Sequence, residues 1–514
     1  MGIYYRPVWT CGRYDQMSQS AIYFNLVVGL SYFFEDYSAD VMGEVLSIPR
    51  GGKISVESLA AKTGIAVDSL TPFLFQLEEN GLLSAIPTSP DVVANYRCQV
   101  KEMRLQELSA SNSPDILTSD ESNAEKCYAN RCENRVTIAM LELTYRCSEK
   151  CIHCYNPGAT RNDSEISYRN QFEELQLDEY KRIIDELYAE GLVRVCLSGG
   201  DPFSKSIIWE IIDYLYSKDI AFDIYTNGQN LIGYEEQLAA YFPCAIGVSI
   251  YSSVPNVHDS ITRVLGSFNK SIKVIDKLSA LSIPIEIKCC IMQTNLKYYW
   301  GVADLAAQYG ATLQLECAIF DSSDGDMCVS KYLRLTEEQL EIVLRDKNNP
   351  LYIGPELPDY GESKLDMNDI GCRAGIQSFC ITPDGNLTPC SSFHAVIGNL
   401  RKQHLNEILT NNSSLDWWAN LELNKYEECG RHDYCAFCKL CPGLNFSEHG
   451  TPLKAAENNC YVAKVRYKLA TRMKQGYDPL NEGTISDTLD SLPDNESITV
   501  YRIQSKNNFD KNLL

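Results

Sequence analysis

Between residues 136 and 320 the chain repeats one pattern six times: a short apolar run rich in β-branched residues, then a longer segment with apolar residues at helical spacing. The apolar runs fall near residues 136–143, 193–198, 222–225, 246–251, 285–291 and 313–320, and LDEYKRIIDELYAEG (residues 177–191) typifies the segments between them. Strand then helix, six times over, predicts an α/β fold with a parallel sheet, open or partly closed into a barrel. On such sheets functional groups gather at the C-terminal strand ends. The first run, VTIAMLEL, leads directly into CSEKCIHCY, with Cys147, Cys151 and Cys154 separated by three and then two residues.

The rest of the composition limits what this stretch can mean. At 514 residues the chain exceeds one ordinary domain. It is 45% hydrophobic and 22% charged, a globular balance, with a formal net charge of −22. That charge argues against broad nucleic-acid binding and against an anionic membrane surface. No apolar run is long enough to span a bilayer. The opening MGIYYRPVWTCGRYDQ lacks the basic start and apolar core of a signal peptide, and Arg6 stands where myristoylation takes Ser or Thr. A cytoplasmic protein is expected. In a reducing compartment its 21 cysteines read as metal ligands or small core residues, not disulfides.

Three thiolates at this spacing can wrap one face of an iron–sulfur cube. The usual cluster takes four cysteines, so one iron would keep an open position. The plainer reading is a zinc knuckle short of one ligand. With the strand before it and His153 and Tyr155 around the last cysteine, CSEKCIHCY resembles the loop of the radical S-adenosylmethionine (SAM) enzymes. The resemblance covers roughly residues 136–320 and implies a partial (β/α)6 barrel. It also implies that the open iron binds the amino and carboxylate groups of SAM, and that an electron cleaves SAM to methionine and a 5′-deoxyadenosyl radical. By the same resemblance LSGGDPF (residues 197–203) is the glycine-rich motif, with Gly199, Gly200 and Asp201, although the family usually carries Glu where Asp201 stands. Two glycines there let backbone approach a ligand closely. His153, Tyr155, Asn227 of YTNG, Ser249 and Arg263 resemble further SAM contacts. Read singly, these are a strand-to-helix turn, a turn, a strand hydroxyl and a surface helix arginine. No residue stands out as a general base.

Eight more cysteines lie between Cys372 and Cys460. ITPDGNLTPC reads as a hairpin that delivers Cys390. Eight thiolates suffice for two complete clusters, and two CxxC units can also hold zinc. The segment resembles the SPASM extension. That implies two auxiliary 4Fe–4S clusters, one on Cys372, Cys380, Cys390 and Cys441, the other on Cys429, Cys435, Cys438 and Cys460. The central gaps here are five, two and two residues where the family has two, five and three, so the allotment of Cys438 and Cys441 stays open. The remaining ten cysteines show no clear pattern; several lie on predicted strands and read as core residues, and Cys127 and Cys132, which flank the barrel entry, have no assigned role.

Residues 1–100 read as a winged-helix-like domain. Residues 21–35 form two strands around Gly29, and helical patterns follow at 37–46, 56–63 (stopped by Gly64) and 67–80 (stopped by Gly81). The would-be recognition helix, residues 66–80, has no Lys or Arg, which excludes DNA reading. A strand edge can instead capture a peptide by β-addition. The pattern resembles the PqqD-like precursor-recognition domain of ribosomal-peptide maturases; a dimerisation or cap domain is the plainer alternative. Residues 101–134 read as a linker, 135–349 as the barrel, 350–475 as bridge and SPASM domain, and 476–514 as a mobile acidic tail ending in a strand-like ITVYRIQ.

The combined expectation is an enzyme with three 4Fe–4S clusters and SAM. A precursor peptide would be its substrate, held by residues 1–100, and flavodoxin or ferredoxin its electron donor. It would abstract a hydrogen and form a thioether or carbon–carbon crosslink. One alternative oxidises a residue in a folded protein such as a sulfatase. Another, of a different class, is a zinc-bearing winged-helix regulatory protein.

Overall fold

A computed structural model describes residues 2–110, 123–132, 136–156, 173–320, 332–346, 367–368, 372–410, 412–478 and 485–492. At the N-terminus β1 (Ile3–Tyr5) pairs antiparallel with β5 (Lys53–Ser55). Beside them β2 (Thr10–Asp15), β3 (Ser20–Asn25) and β4 (Leu30–Glu35) form an antiparallel sheet in the order β2-β3-β4. Gly29 makes the predicted turn at φ +79. Helices Asp36–Leu46, Val56–Thr63 and Val67–Glu79 follow, and Gly64 closes the second in the left-handed region. Every residue of β3 is buried because both faces of this sheet are covered. Ala21 and Tyr23 pack with the three helices, while Ile22 and Phe24 pack against Val193, Ala221, Phe242 and Cys244 of the barrel.

Those barrel residues sit where strands begin, so the N-terminal unit is bolted to the N-terminal rim. Arg6 and Arg50 both meet Asp219, at 2.7 and 2.9 Å. Arg13 donates to the Tyr188 carbonyl at 2.6 Å and Arg97 to that of Ala239 at 2.7 Å. The expected linker contains more helix than the sequence reading allowed. Helix Pro90–Ala110 runs past residue 100, and a second spans Asn123–Arg131. Both helices dock through mixed contacts: Val100 and Tyr128 are buried in the apolar seam against the barrel rim, and polar side chains add further anchors. Lys101 caps the Ser279 carbonyl at 2.7 Å, and buried Glu125 pairs with Arg194 at 2.9 Å.

The six expected parallel strands are β6 (Ile138–Glu142), β7 (Arg194–Ser198), β8 (Ala221–Thr226), β9 (Ala245–Ser249), β10 (Ile285–Cys290) and β11 (Thr312–Glu316). They lie side by side in chain order, each parallel to the next. Leu141, Leu197, Ile224, Val248, Ile287 and Leu315 face outward into the helical layer and join one large apolar core. A fully buried side chain of this kind contributes roughly 1.5–3 kcal/mol, so the sheet is a stiff platform for whatever its ends carry. The intervening positions, among them Met140, Cys196, Tyr225 and Lys288, face the lumen.

The cysteine-rich segment extends this same sheet. β12 (Ser378–Ile381) pairs parallel with β6, placing Cys380 opposite Met140. The predicted hairpin turns through Gly385 (φ +86) into β13 (Asn386–Thr388), which pairs with β14 (Gly398–Asn399). Helices Leu405–Thr410, Ser413–Ala419, Pro442–His449 and Glu457–Lys474 complete the domain. The part of the acidic tail that is described does not fit the mobile reading. Helix Ile485–Ser491 docks on the barrel through buried Leu489 and a 3.0 Å bond from Arg345 to Thr488. ITVYRIQ lies outside the described residues. Among the described residues no helix is long and apolar enough to cross a membrane.

Candidate active site

The chain leaves β6 through residues 143–146 and enters the cysteine loop at the C-terminal end of the sheet. The two glycines after β7 press directly on that incoming segment. A Cβ on Gly199 would stand 2.4 Å from the Thr144 carbonyl oxygen, and one on Gly200 the same distance from that of Arg146. The Gly200 and Asp201 amides donate to the Thr144 and Arg146 carbonyls at 2.6 and 3.0 Å. Here the glycines allow chain to meet chain. Asp201 is fully buried, and burial raises its pKa. It accepts from the Thr226 hydroxyl at 2.5 Å and the Asn230 amide at 2.9 Å, which ties the ends of β7 and β8 together. Asn227, in the turn after β8, donates its side-chain amide to Cys147 Sγ at 3.3 Å.

A second wall comes from the turn after helix Pro255–Thr262. The Lys150 and Ile152 amides donate to the Thr262 and Ile261 carbonyls at 2.9 and 3.0 Å. Burial pushes the Cys147 thiol up to about 12. His153, half-buried between two of the cysteines, stands edge-on to Tyr251 at 4.6 Å; desolvation of its ring, with Arg263 nearby, lowers its pKa to about 4. Arg263 closes its helix at φ +57, a conformation that costs a non-glycine residue of order 1–3 kcal/mol. Its Nε and Nη2 are buried and have no hydrogen-bond partner, and Cys151 and Cys154 lie within its electrostatic reach. Ser249, half-buried at the end of β9, hydrogen-bonds Tyr251.

Tyr155 turns toward a residue that pattern reading missed. Glu142, the last residue of β6, is buried, accepts from the Tyr145 and Tyr155 hydroxyls at 3.2 and 3.3 Å, and is raised by burial to about 7. Strand alternation, which turns it into the lumen, was its only sequence signal. Deeper in the lumen Lys288 lies 3.7 Å from the Tyr225 ring centroid and 2.9 Å from Glu286. Gly247 makes room for this stack, since a Cβ there would meet both side chains within 2.8 Å.

The eight later cysteines fall into two neighbourhoods. Cys390 feels Cys441 and Cys372, Cys441 feels Cys372, and Cys380 feels Cys390. Cys438 feels Cys460, Cys429 and Cys435, and Cys429 feels Cys460 and Cys435. His394, four residues after Cys390, stacks on Tyr155 at 6.3 Å, so the first neighbourhood adjoins the barrel loop. The donor sets fit iron–sulfur clusters, and the unpaired Arg263 guanidinium suits a carboxylate ligand beside the first. Among the described residues, no three or more His, Cys, Asp or Glu side chains are drawn in tightly enough to hold a single metal ion. Of the other cysteines, Cys11, Cys132, Cys196, Cys244, Cys289 and Cys317 are core residues, whereas Cys98 and Cys127 are exposed.

Comparison with known proteins agrees with this geometry. Residues 141–299 match the Radical SAM superfamily, and residues 372–442 match SPASM, an iron–sulfur cluster-binding domain. This chain carries a radical SAM domain followed by a SPASM domain. Mycofactocin maturase MftC of Mycobacterium tuberculosis (strain CDC 1551 / Oshkosh) is 26% identical over 332 residues, 62% of this chain and 81% of that protein. AdoMet-dependent heme synthase of Methanosarcina barkeri is 25% identical over 335 residues, covering 60% and 91%. The antilisterial bacteriocin subtilosin biosynthesis protein AlbA of Bacillus subtilis is 25% identical over 339 residues, covering 63% and 71%. Among solved structures, Streptococcus suis SuiB bound to precursor peptide SuiA superposes with a TM-score of 0.50 at 15% identity, over 89% of this chain and 99% of that one. At that identity the likeness establishes the shared fold.

Proposed function

We propose that the chain is a radical SAM enzyme that modifies a ribosomally made precursor peptide, abstracting a hydrogen and forming a thioether or carbon–carbon crosslink. The observation that carries the radical chemistry is the convergence, at one strand end, of three thiols and a buried guanidinium with unpaired nitrogens. The peptide substrate is supported by two relatives, a mycofactocin maturase and a subtilosin biosynthesis protein.

In this reading Cys147, Cys151 and Cys154 hold the first cluster, and Asn227 fixes Cys147 by its amide. Arg263 binds the carboxylate of SAM, with His153, Tyr155 and Ser249 beside it. Gly199, Gly200 and Asp201 shape the loop that carries the cluster. Cluster and SAM together supply one electron and a carbon-centred radical. The two cysteine neighbourhoods support auxiliary clusters on Cys372, Cys380, Cys390 and Cys441 and on Cys429, Cys435, Cys438 and Cys460. β4 is an edge strand, and Phe34 on it meets Phe73 of helix Val67–Glu79 at 6.1 Å, so a leader segment would add to this edge beside an aromatic pair. Tethering there raises the effective concentration of the core segment at the lumen.

The test is anaerobic incubation of the reconstituted enzyme with SAM, a reductant and the small peptide encoded beside its gene. A loss of two hydrogens per link supports the reading. An unchanged peptide mass with active SAM cleavage refutes the peptide assignment. A tetrapyrrole substrate is the second reading, favoured by the heme synthase relative. It predicts that the β4 edge is dispensable.

A further inference from the structure

Acidic residues outnumber basic ones by 68 to 46 in this chain, yet one helix beside the cysteine loop presents a stripe of cations. Lys270, Lys273 and Lys277 are all exposed on helix Ser267–Ala280, and spacings of three and four put them on one face. Among the described residues none of the three is held in a salt bridge. Asp276, the one acidic residue in this stretch, binds the Tyr309 hydroxyl at 2.7 Å. At the head of the stripe Leu265 is 91% exposed, and Val254 at the start of the neighbouring helix is 37% exposed.

This face reaches the cysteine loop by two routes. The turn bearing Leu265 follows the Ile261 and Thr262 carbonyls that hold the Ile152 and Lys150 amides, and Lys270 acts electrostatically on Glu149, two residues before Cys151. Beneath it runs an unbroken aromatic ladder. Phe268, in the first turn of the lysine helix, meets His258 at 5.6 Å; His258 stacks on Tyr251 at 5.5 Å; Tyr251 meets His153 at 4.6 Å. His153 lies between Cys151 and Cys154.

We propose that Lys270, Lys273, Lys277 and Leu265 form the docking surface for a small acidic protein that carries single electrons, and that the ladder from Phe268 to His153 is the packed path from that surface to the first cluster. The inference rests on the radical SAM reading of the loop. In the step itself the carrier is oxidised by one electron and the cluster reduced by one, and no bond is made or broken. An apolar tip at the head of a row of cations suits such a partner. Complementary charge speeds encounter, and a low-area apolar contact lets the spent carrier leave.

The probe is a purified flavodoxin, and the variant is Lys270→Glu/Lys273→Glu/Lys277→Glu. Titration calorimetry at low salt should show at least about tenfold weaker flavodoxin binding to the variant. Stopped-flow reduction of the cluster by reduced flavodoxin should slow by about tenfold or more and lose its salt dependence. Dithionite needs no docking face, so dithionite-driven SAM cleavage and thermal stability should match wild type. Leu265→Ser should weaken carrier binding while keeping the salt dependence. Unchanged flavodoxin affinity and rate in the triple variant would overturn the proposal, as would lost precursor-peptide binding with carrier binding intact. Failure of dithionite to drive SAM cleavage in wild type would instead remove the radical SAM reading beneath it.

Discussion

Cys147, Cys151 and Cys154 hang from a strand locked between β7 and β12, with a stiff apolar layer behind it. Of the later eight, Cys380 sits on the four-residue β12, Cys435 in a single helical turn and Cys460 in the first turn of helix Glu457–Lys474, while the other five sit on loops. Their own small core gathers around Phe393, Trp418, Leu421, Leu423 and Tyr426, and Cys372, Cys390 and Cys429 pack against it. The same ligand therefore plays two parts. The barrel loop owes its shape to backbone contacts with the Gly199–Asp201 turn and with the end of helix Pro255–Thr262. The SPASM segment anchors Phe379, Ile381 and Leu387 in the barrel core, but its cysteine loops rest on the smaller cluster around Trp418, so cluster formation there would contribute folding free energy directly.

Substitutions separate these parts. Cys147→Ala should abolish deoxyadenosine formation while leaving the melting temperature of the reconstituted protein within a few degrees of wild type. Cys390→Ala combined with Cys441→Ala should lower that temperature sharply and reduce soluble yield; equal melting temperatures for the two variants would break the comparison. Gly200→Ala drives a methyl group into the Arg146 carbonyl and should cost about 1–3 kcal/mol. Chemical denaturation reads that cost, and iron should be lost from the barrel loop first. Arg263→Ala removes one charged hydrogen-bonding partner, worth about 1.5–3 kcal/mol, so equilibrium dialysis should give a SAM dissociation constant raised roughly tenfold to a hundredfold. The smallest effect separates Cys438→Ser from Cys441→Ser. Paramagnetic resonance should show a different auxiliary signal altered in each, and identical spectra would dissolve the two neighbourhoods.

The barrel was legible because burial on one side and a lumen on the other impose a period that sequence displays directly. β2 (TCGRYD) was not, since it mixes polar and apolar residues and is wedged between the N-terminal helices and the barrel rim. Helix Pro90–Ala110 escaped for the related reason that its apolar stripe is short, Val93, Tyr96 and Val100, and gives way to polar anchors such as Lys101. At the site, the cysteine spacing carried its own meaning. Gly199 and Gly200 announced a close backbone approach but not what is approached, because a glycine pair reads alike before a ligand or before another chain segment. Arg263 resembled a surface helix residue; only the fold turns it inward at a left-handed helix end. The grouping of Cys438 and Cys441 depends on how the loops return, which no linear spacing encodes.

The central claim is that three cysteines leave an iron open for SAM while eight close two further clusters. Iron and sulfide content, measured together with deoxyadenosine formation on the Cys147→Ala/Cys151→Ala/Cys154→Ala variant, tests it most directly. Wild type should carry about twelve irons, and the variant should keep about eight while forming no deoxyadenosine. A variant that still cleaves SAM, or a wild type holding only about four irons, would contradict the account.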